Sequence, residues 1–238
     1  MPMANIVAVA SDGAPSMVGC YRGFLPHLKQ PVPGLLAVRC VIHRQHLATR
    51  RLSVRLNGSL QLVVTAVDTI KSKSLNEELF RQLGERNGED FNRLLLHTEV
   101  RWLSKGACLT RFYSLFDTVP ELLWCVIPSL REHLKKNKKD IAYLVDIYYK
   151  FNAMNLQLQG SDLNLIKTKG VISAFVAKLP IFKGNLRADE FYPFPLLAAM
   201  KEEKDIAEQE VEVYCQHLEM LRVDFTKRFS DILNWKIP

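Results

Sequence analysis

The chain has 238 residues, of which 48% are hydrophobic and 24% charged, a balance typical of a folded globular protein and not of a disordered one. This length is enough for one large domain or two small ones. Its five cysteines are odd in number and widely spaced, which indicates reduced intracellular thiols and argues against a disulfide framework. No signal peptide is recognisable and no apolar run approaches the ~20 residues of a membrane-spanning helix, so we expect no membrane association.

The net charge of +7 is unevenly distributed along the chain. No Asp or Glu occurs between Gly13 and Val67, whereas several Arg residues do. An acid-free basic stretch suits a polyanion such as nucleic acid, although any basic protein can contain one by chance. The candidate nucleic-acid contacts in this stretch are Arg39, Arg44, Arg50 and Arg51.

The first elements have the pattern of a strand–helix–strand unit. Residues 5–10 predict a buried strand, and residues 15–28 predict a helix that begins at a proline. After a turn at 31–34, residues 35–42 predict a second strand. Strands joined by a crossover helix run parallel, and strands apolar on both faces need further layers to cover them. The unit therefore has the pattern of a piece of a larger sheet.

The rest of the chain has a helical pattern. Apolar residues at helical spacing predict helices over 59–72, 103–118, 140–158 and 162–179. Three prolines predict a loop over 180–195, and one long helix is predicted over 196–233. The apolar stripe of this last helix is typical of an intramolecular core; the alternative is a helix-pairing surface for a protein partner or a second copy of the chain.

Asp12 follows the first predicted strand, where α/β folds place functional groups. Its carboxylate is a candidate ligand for Mg²⁺ in phosphoryl-transfer chemistry, which needs several converging carboxylates. The alternative is an N-cap or an Asx-turn before Gly13.

Cys40, His43 and His46 are spaced by three residues. Structural zinc normally takes four ligands in two spaced pairs, and no second pair follows at a suitable distance, so we predict no metal site here. His43, at the end of the second predicted strand, would instead lie beside Asp12 and contact a phosphate as a donor or proton shuttle. A hydrogen-bonded, half-buried histidine without a catalytic role is the alternative.

Arg101 and Trp102 stand at the predicted start of a helix. An exposed Trp can stack on an unpaired base while the neighbouring Arg holds a phosphate. The alternative is a Trp that anchors the helix start in the core.

In this order, the three segments resemble motifs of hAT-superfamily transposases, in particular the animal branch that includes domesticated host proteins. Ser-Asp-Gly-Ala-Pro-Ser-Met-Val-Gly (11–19) is similar to the segment around that family's second catalytic aspartate. Cys-Val-Ile-His-Arg-Gln-His-Leu-Ala (40–48) is similar to its Cys-x-x-His motif, and His-Thr-Glu-Val-Arg-Trp-Leu-Ser (97–104) to its Arg-Trp motif. The resemblance covers essentially the whole chain, most specifically residues 6–120.

The resemblance implies a mixed α/β, mostly α protein. Residues 1–46 would be a fragment of an RNase-H-like catalytic core, and residues 47–238 an all-helical insertion domain. It also implies that Asp12 is a remnant metal-binding acid, His43 the motif histidine and Trp102 the residue that handles a flipped base.

The family's first aspartate would precede Met1 and its last glutamate would follow Pro238. One carboxylate of three cannot organise two Mg²⁺ ions, so we expect no catalysis and no cofactor. The expected protein is a truncated, domesticated transposase remnant that binds nucleic acid or a protein partner. The alternative is a transposase fragment that is active, with Mg²⁺, only when other chains supply the missing acids.

The run Lys135-Lys136-Asn137-Lys138-Lys139 is a candidate nuclear-import signal. A solvated helix end is the more common reason for such a run. Together with the resemblance, it leads us to expect a protein of the nucleus, with the cytoplasm as a further location.

Overall fold

The computed structural model describes residues 3–6, 8–11, 13–20, 22–87, 94–95, 102–160, 163–203 and 206–235. These residues are mostly helical and include two short strands, which confirms the predicted mostly-α class. By its internal contacts the chain divides into two compact units. Unit 1 contains residues 1–51, 154–179 and 220–238, and unit 2 contains residues 52–153 and 180–219. The predicted domain boundary after residue 46 stays a prediction.

The two strands lie in unit 1 and pair in parallel, as predicted. A single 3₁₀ turn (Met3–Asn5) precedes β1 (Ala8–Ser11), and β2 (Leu36–Arg39) pairs with β1 so that Ser11 lies opposite Arg39. This register brings the last residue of each strand to the same end of the sheet. Ser11 and Arg39, the last residues of β1 and β2, are therefore neighbours.

Two short helices, α1 (Pro15–Val18) and α2 (Phe24–Lys29), replace the single helix predicted over 15–28. The break between them contains Gly19 and Gly23. A Cβ atom at Gly23 would lie 2.5 Å from the backbone nitrogen of Gly19, so the chain folds back on itself where only glycine fits.

The strand predicted over 35–42 ends at Arg39, and α3 (Val41–Thr49) begins almost at once. His43 is therefore in the first turn of a helix, whereas the sequence predicted it at the end of a strand. The face that α3 buries includes Arg44, Gln45 and Thr49. Because these residues are polar, the spacing of apolar residues could not reveal this helix.

Unit 2 begins with a group of packed helices. They are α4 (Val54–Lys71), α5 (Ser74–Arg86), α6 (Trp102–Ser114), α7 (Thr118–Val126) and α8 (Pro128–Lys136). α4 packs against α5, α6 and α8, and α5 packs against α7. The hydroxyl of Ser53 caps α4 by accepting a hydrogen bond of 3.3 Å from the backbone nitrogen of Leu56.

The remaining helices are α9 (Lys138–Gln157), α10 (Leu165–Arg187), α11 (Pro195–Glu203), α12 (Glu208–Arg228) and α13 (Ser230–Leu233). α10 continues through Pro180, so the loop predicted to begin there was wrong. Leu179 and Leu186, on either side of the proline, are both buried. Burial of such residues offsets the hydrogen bond that a proline removes from a helix. None of the helices in the described ranges is both long and apolar enough to cross a membrane.

The long helix predicted over 196–233 was also wrong, because the chain leaves the helical conformation at Ile206 and Ala207 and again at Phe229. The carboxylate of Glu210 accepts a hydrogen bond of 2.9 Å from the backbone nitrogen of Ala207. An acidic side chain three residues into a helix that reaches back in this way marks a new helix start. The apolar stripe nevertheless continues from α12 across the turn at Phe229 into α13, and its residues Tyr214, Leu218, Leu221, Phe225 and Ile232 are fully buried.

A buried carboxylate organises polar groups inside unit 2. Asp140, whose side chain is 1% exposed, accepts two hydrogen bonds of 2.7 and 2.8 Å from the guanidinium of Arg55. The hydroxyls of Ser59 and Tyr214 donate to the same carboxylate at 3.2 and 2.8 Å. Four donors thus compensate the cost of burying this charge.

Asp146 is a second buried acid of unit 2, and it caps α11 from the neighbouring α9. Its carboxylate accepts hydrogen bonds from the backbone nitrogens of Leu196 and Leu197 at 3.3 and 3.1 Å. Burial raises the pKa of Asp146 to about 6, although the two hydrogen bonds and the nearby Lys150 act in the opposite direction.

Candidate nucleic-acid interface

An open cavity of about 630 Å³ lies within unit 1. Three parts of the chain line it: the loop after β1, the segment from β2 through α3, and the end of α12 with the start of α13. Among the described residues, the basic ones in its wall are Arg39, Arg44, Arg51, Lys227 and Arg228, and the acidic ones are Asp224 and Asp231. The excess of basic over acidic side chains gives the cavity the charge expected of an anion-binding surface.

The first wall includes Gly13, which lies between β1 and α1. Gly13 has a φ of 81°, a left-handed conformation that only glycine adopts without strain. A Cβ atom at Gly13 would contact the Arg39 side chain, with Cδ at 3.6 Å and Nε at 3.7 Å. The Arg39 side chain therefore lies against Gly13, and it is the positive φ that favours glycine at this position.

The second wall comes from α3. His43 and Leu47 are four residues apart and both line the cavity, as does Arg51 just after the helix. The His43 side chain is exposed, so it is available to a ligand. Arg51 is also largely exposed, with 60% of its side chain accessible.

Unlike Arg51, Arg44 is a buried residue of the cavity wall. Its Nη1 donates to the carboxylate of Asp231 at 2.5 Å and to the backbone oxygen of Arg228 at 2.7 Å. Its guanidinium carbon also lies 4.6 Å from the centre of the Phe229 ring. Arg44 therefore joins α3 to the C-terminal segment through Nη1, while its Nε and Nη2 are buried without a hydrogen-bond partner among the described residues.

The third wall supplies cations that the sequence analysis missed. Lys227 and Arg228 are in the last turn of α12, and both line the cavity. Both are far from Arg39 in the sequence. Two basic residues at a helix end are common, since they favour the negative end of the helix dipole, so no signal in the sequence linked them to Arg39.

The acids of the cavity neutralise only some of these cations. Asp231 pairs with Arg44, and Asp224 pairs with Arg228 at 2.5 Å and more distantly with Arg51 at 3.8 Å. Within the described residues, Arg39 and Lys227 have no acidic partner. The positive charge that is free to bind an anion is therefore concentrated on these two side chains, with Arg51 beside them.

Among the remaining predicted site residues, only Arg50 has a side chain that the structure describes. Asp12 and Arg101 lie outside the described residues, and Trp102 begins α6 but has no described side chain. Arg50 is exposed just after α3 and is not part of the cavity wall. Of the six predicted nucleic-acid contacts, Arg39, Arg44 and Arg51 line the cavity.

The described residues do not fit a two-metal site. Two-metal phosphoryl chemistry needs several carboxylates with free oxygens, whereas the two acids of this cavity are both engaged with arginines. Across the described ranges, no group of three His, Cys, Asp or Glu side chains is arranged to hold a metal ion.

Comparison with known proteins places these features in a family context. A family model described as the FAM200/GTF2IRD2 helical domain matches residues 39–187. The cow protein named general transcription factor II-I repeat domain-containing protein 2 is 30% identical over 235 residues, and its mouse counterpart is 27% identical over 237 residues. Each alignment covers 96% of this chain and 24% of the relative, so the chain spans about a quarter of these relatives. No solved structure matches the chain significantly.

Proposed function

We propose that this chain, which belongs to the FAM200/GTF2IRD2 helical-domain family, is a nuclear protein. It binds nucleic acid through the basic cavity of unit 1. The observation that carries the proposal is the surplus of positive charge on Arg39, Lys227 and Arg51 at one open cavity. Phosphate oxygens are the ligands that such a surface favours, and binding of this kind is largely independent of base sequence.

Within this proposal, the chain is a domesticated remnant of an hAT transposase without catalytic activity. The resemblance of residues 11–19, 40–48 and 97–104 to that superfamily supports the origin, and with it an RNase-H-like ancestry for β1 and β2. The engagement of the two described acids of the cavity, Asp224 and Asp231, by arginines supports the absence of catalysis by this chain alone. If the purified chain nicked DNA with Mg²⁺ and Asp12→Ala abolished the nicking, this part of the proposal would be overturned.

A nuclear location is supported by the names of the relatives, which are called general transcription factor repeat proteins. Lys135 and Lys136, in the predicted import run, are exposed at the end of α8. Lys139 in the same run is engaged with Glu210 at 2.9 Å. Imaging of the tagged chain with and without Lys135→Ala and Lys136→Ala tests whether this run directs import.

A protein partner at the last helices is the other candidate function. The structure buries the apolar stripe of α12 within the chain itself, so a partner would have to use a different face. For this reason we favour the cavity and nucleic acid.

The direct test measures DNA affinity over a salt series. Release of counterions makes the logarithm of the affinity fall linearly with the logarithm of salt concentration, with a slope of about −0.9 for each phosphate neutralised. We expect Arg39→Ala and Lys227→Ala each to weaken binding and to reduce the slope by about one phosphate contact.

Two further variants act as controls. Lys178→Ala removes the same charge from an exposed residue of unit 1 outside the cavity and should leave the slope unchanged. Arg50→Ala tests the contact predicted from sequence that lies outside the cavity wall. A folded protein that does not bind DNA at low salt, or Arg39→Ala and Lys227→Ala variants that behave like Lys178→Ala, would contradict the proposal.

A further inference from the structure

A second cleft, of about 360 Å³, adjoins the basic cavity within unit 1. Ala37 and Arg39 of β2 line both spaces, so the two lie next to each other at this strand. The cleft walls are mainly apolar and are formed by Val18, Leu25, Pro26 and Val38.

One polar group inside this cleft has an unfilled hydrogen-bonding capacity. Ser11, at the end of β1, lines the cleft and is only 7% exposed. Its Oγ has no hydrogen-bond partner among the described residues. Since a buried hydroxyl without a partner destabilises a protein, and most such groups in native proteins are satisfied, a ligand in the cleft is a natural source of the missing bond.

The cleft also carries positive charge where it opens. Lys29, at the end of α2, and Arg39 both line it and have no acidic partner in the described parts of the chain. A ligand that fits should therefore have an apolar, flat body, a hydrogen-bonding edge and an attached anion. A nucleotide has all three, and the basic cavity next to the cleft can accept the phosphates that follow.

We propose that this cleft takes one unpaired nucleobase from a single-stranded nucleic acid whose backbone crosses the basic cavity. The inference rests on the proposed function, since it specifies the form of nucleic acid that the same surface binds. Val18, Leu25 and Pro26 contact the faces of the base, and the hydroxyl of Ser11 bonds to its edge. A base held in this way cannot remain paired, so the chain binds single strands more tightly than duplexes.

The test uses a short oligonucleotide that contains 2-aminopurine, a base whose fluorescence increases when it leaves the stack. We expect the purified full chain to bind the single strand at least about tenfold more tightly than the duplex, the change in affinity that about 1.4 kcal/mol of base contact gives. We also expect the fluorescence to rise on binding.

Ser11→Ala and Val18→Phe separate the cleft from the cavity. Ser11→Ala removes the hydroxyl bond and, because it also removes a buried unsatisfied group, should not lower the stability of the protein. Val18→Phe fills part of the cleft. Both should weaken single-strand binding about fivefold or more and leave duplex binding unchanged. The control Val223→Phe makes the same substitution on an exposed residue of α12, which does not line the cleft.

The outcomes distinguish the two proposals. If the chain binds single strands and duplexes equally, without a change in fluorescence, the base-binding inference is wrong while the proposed function stands. A cleft that accepts an apolar peptide side chain instead would give this same result. If the folded chain binds neither form, both proposals fail.

Discussion

The two units both place aspartates against arginines, but with opposite results. In unit 2, Asp140 is almost completely buried and four donor groups surround it. In unit 1, Asp224 pairs with Arg228 at 2.5 Å and only distantly with Arg51, whose side chain is 60% exposed. Arg39 and Lys227 have no described acidic partner. The comparison shows that a charge whose partners are all present can be buried inside the fold. A surplus of charge at the surface is instead available to bind a ligand.

The largest expected effect is from Asp140→Asn, which breaks the balanced group. The amide would place an N–H₂ group among the donors of Arg55, Ser59 and Tyr214, so at least one donor would lose its acceptor. We expect a loss of about 3 kcal/mol in the free energy of unfolding, measured by urea denaturation, because Arg55 is partly exposed and water replaces some of the interaction.

Asp117→Asn is the matched control for this prediction. Its side chain is 92% exposed and it lies 3.6 Å from Lys138, so we expect a change of less than about 0.5 kcal/mol. Equal stabilities of the two variants would contradict the role given to Asp140.

The next effect concerns the pH dependence of stability through Asp146. Because burial raises the pKa of Asp146 from 3.8 to about 6, the folded state holds the proton more tightly than the unfolded state does. The contribution of Asp146 to stability is therefore greatest below about pH 4 and is lost as the pH rises through 6.

Asp146→Asn removes this titration and keeps one acceptor for α11. Relative to the wild type, the variant should become more stable between pH 4 and pH 7 by about 2–3 kcal/mol, the value of two pKa units. Urea denaturation at several pH values measures the difference, in which the other titrating groups cancel. Parallel curves for the two proteins would show that Asp146 does not titrate in this range.

The smallest expected effect on stability is from Asp224→Asn in unit 1. Its main partner is Arg228, four residues further along α12 at 2.5 Å, and a pair of this kind on a helix contributes about 0.3–0.5 kcal/mol, so the variant should lose less than about 1 kcal/mol in stability. It should nevertheless bind DNA about fivefold more tightly at low salt, because a negative charge has left the cavity. Asp117→Asn again controls for the change in net charge, and equal DNA affinities of the two variants would show that the cavity is not the binding surface.

The sequence predicted those parts of the fold in which local pattern and tertiary packing agree. The parallel pair of β1 and β2 follows from two apolar runs and the crossover between them, and α4 and α9 follow from their apolar spacing. The passage of α10 through Pro180 could not be predicted, because burial of its neighbours outweighs a strong local signal.

The candidate site shows the same limit at longer range. Arg39 and Arg51 were found because they stand in one acid-free stretch of sequence. Lys227 and Arg228 line the same cavity only because the tertiary fold brings them there. The burial of Arg44 likewise depends on Asp231 and Phe229 from that distant segment. Such pairings depend on packing between segments far apart in the chain, which local patterns do not encode.

The contact between Arg44 and Asp231 has a consequence for how the protein is made. It joins residues that are 187 positions apart. During synthesis, the α3 side of the cavity therefore leaves the ribosome well before the side formed by α12 and α13. At about 5–20 residues per second, that interval is on the order of 10–40 seconds on the ribosome. Helices with local contacts, such as α4 and α5, can form early, whereas contacts of high sequence separation form slowly. The cavity thus assembles later than these helices, and a nascent chain cannot hold nucleic acid there before Lys227, Arg228 and Asp231 have emerged.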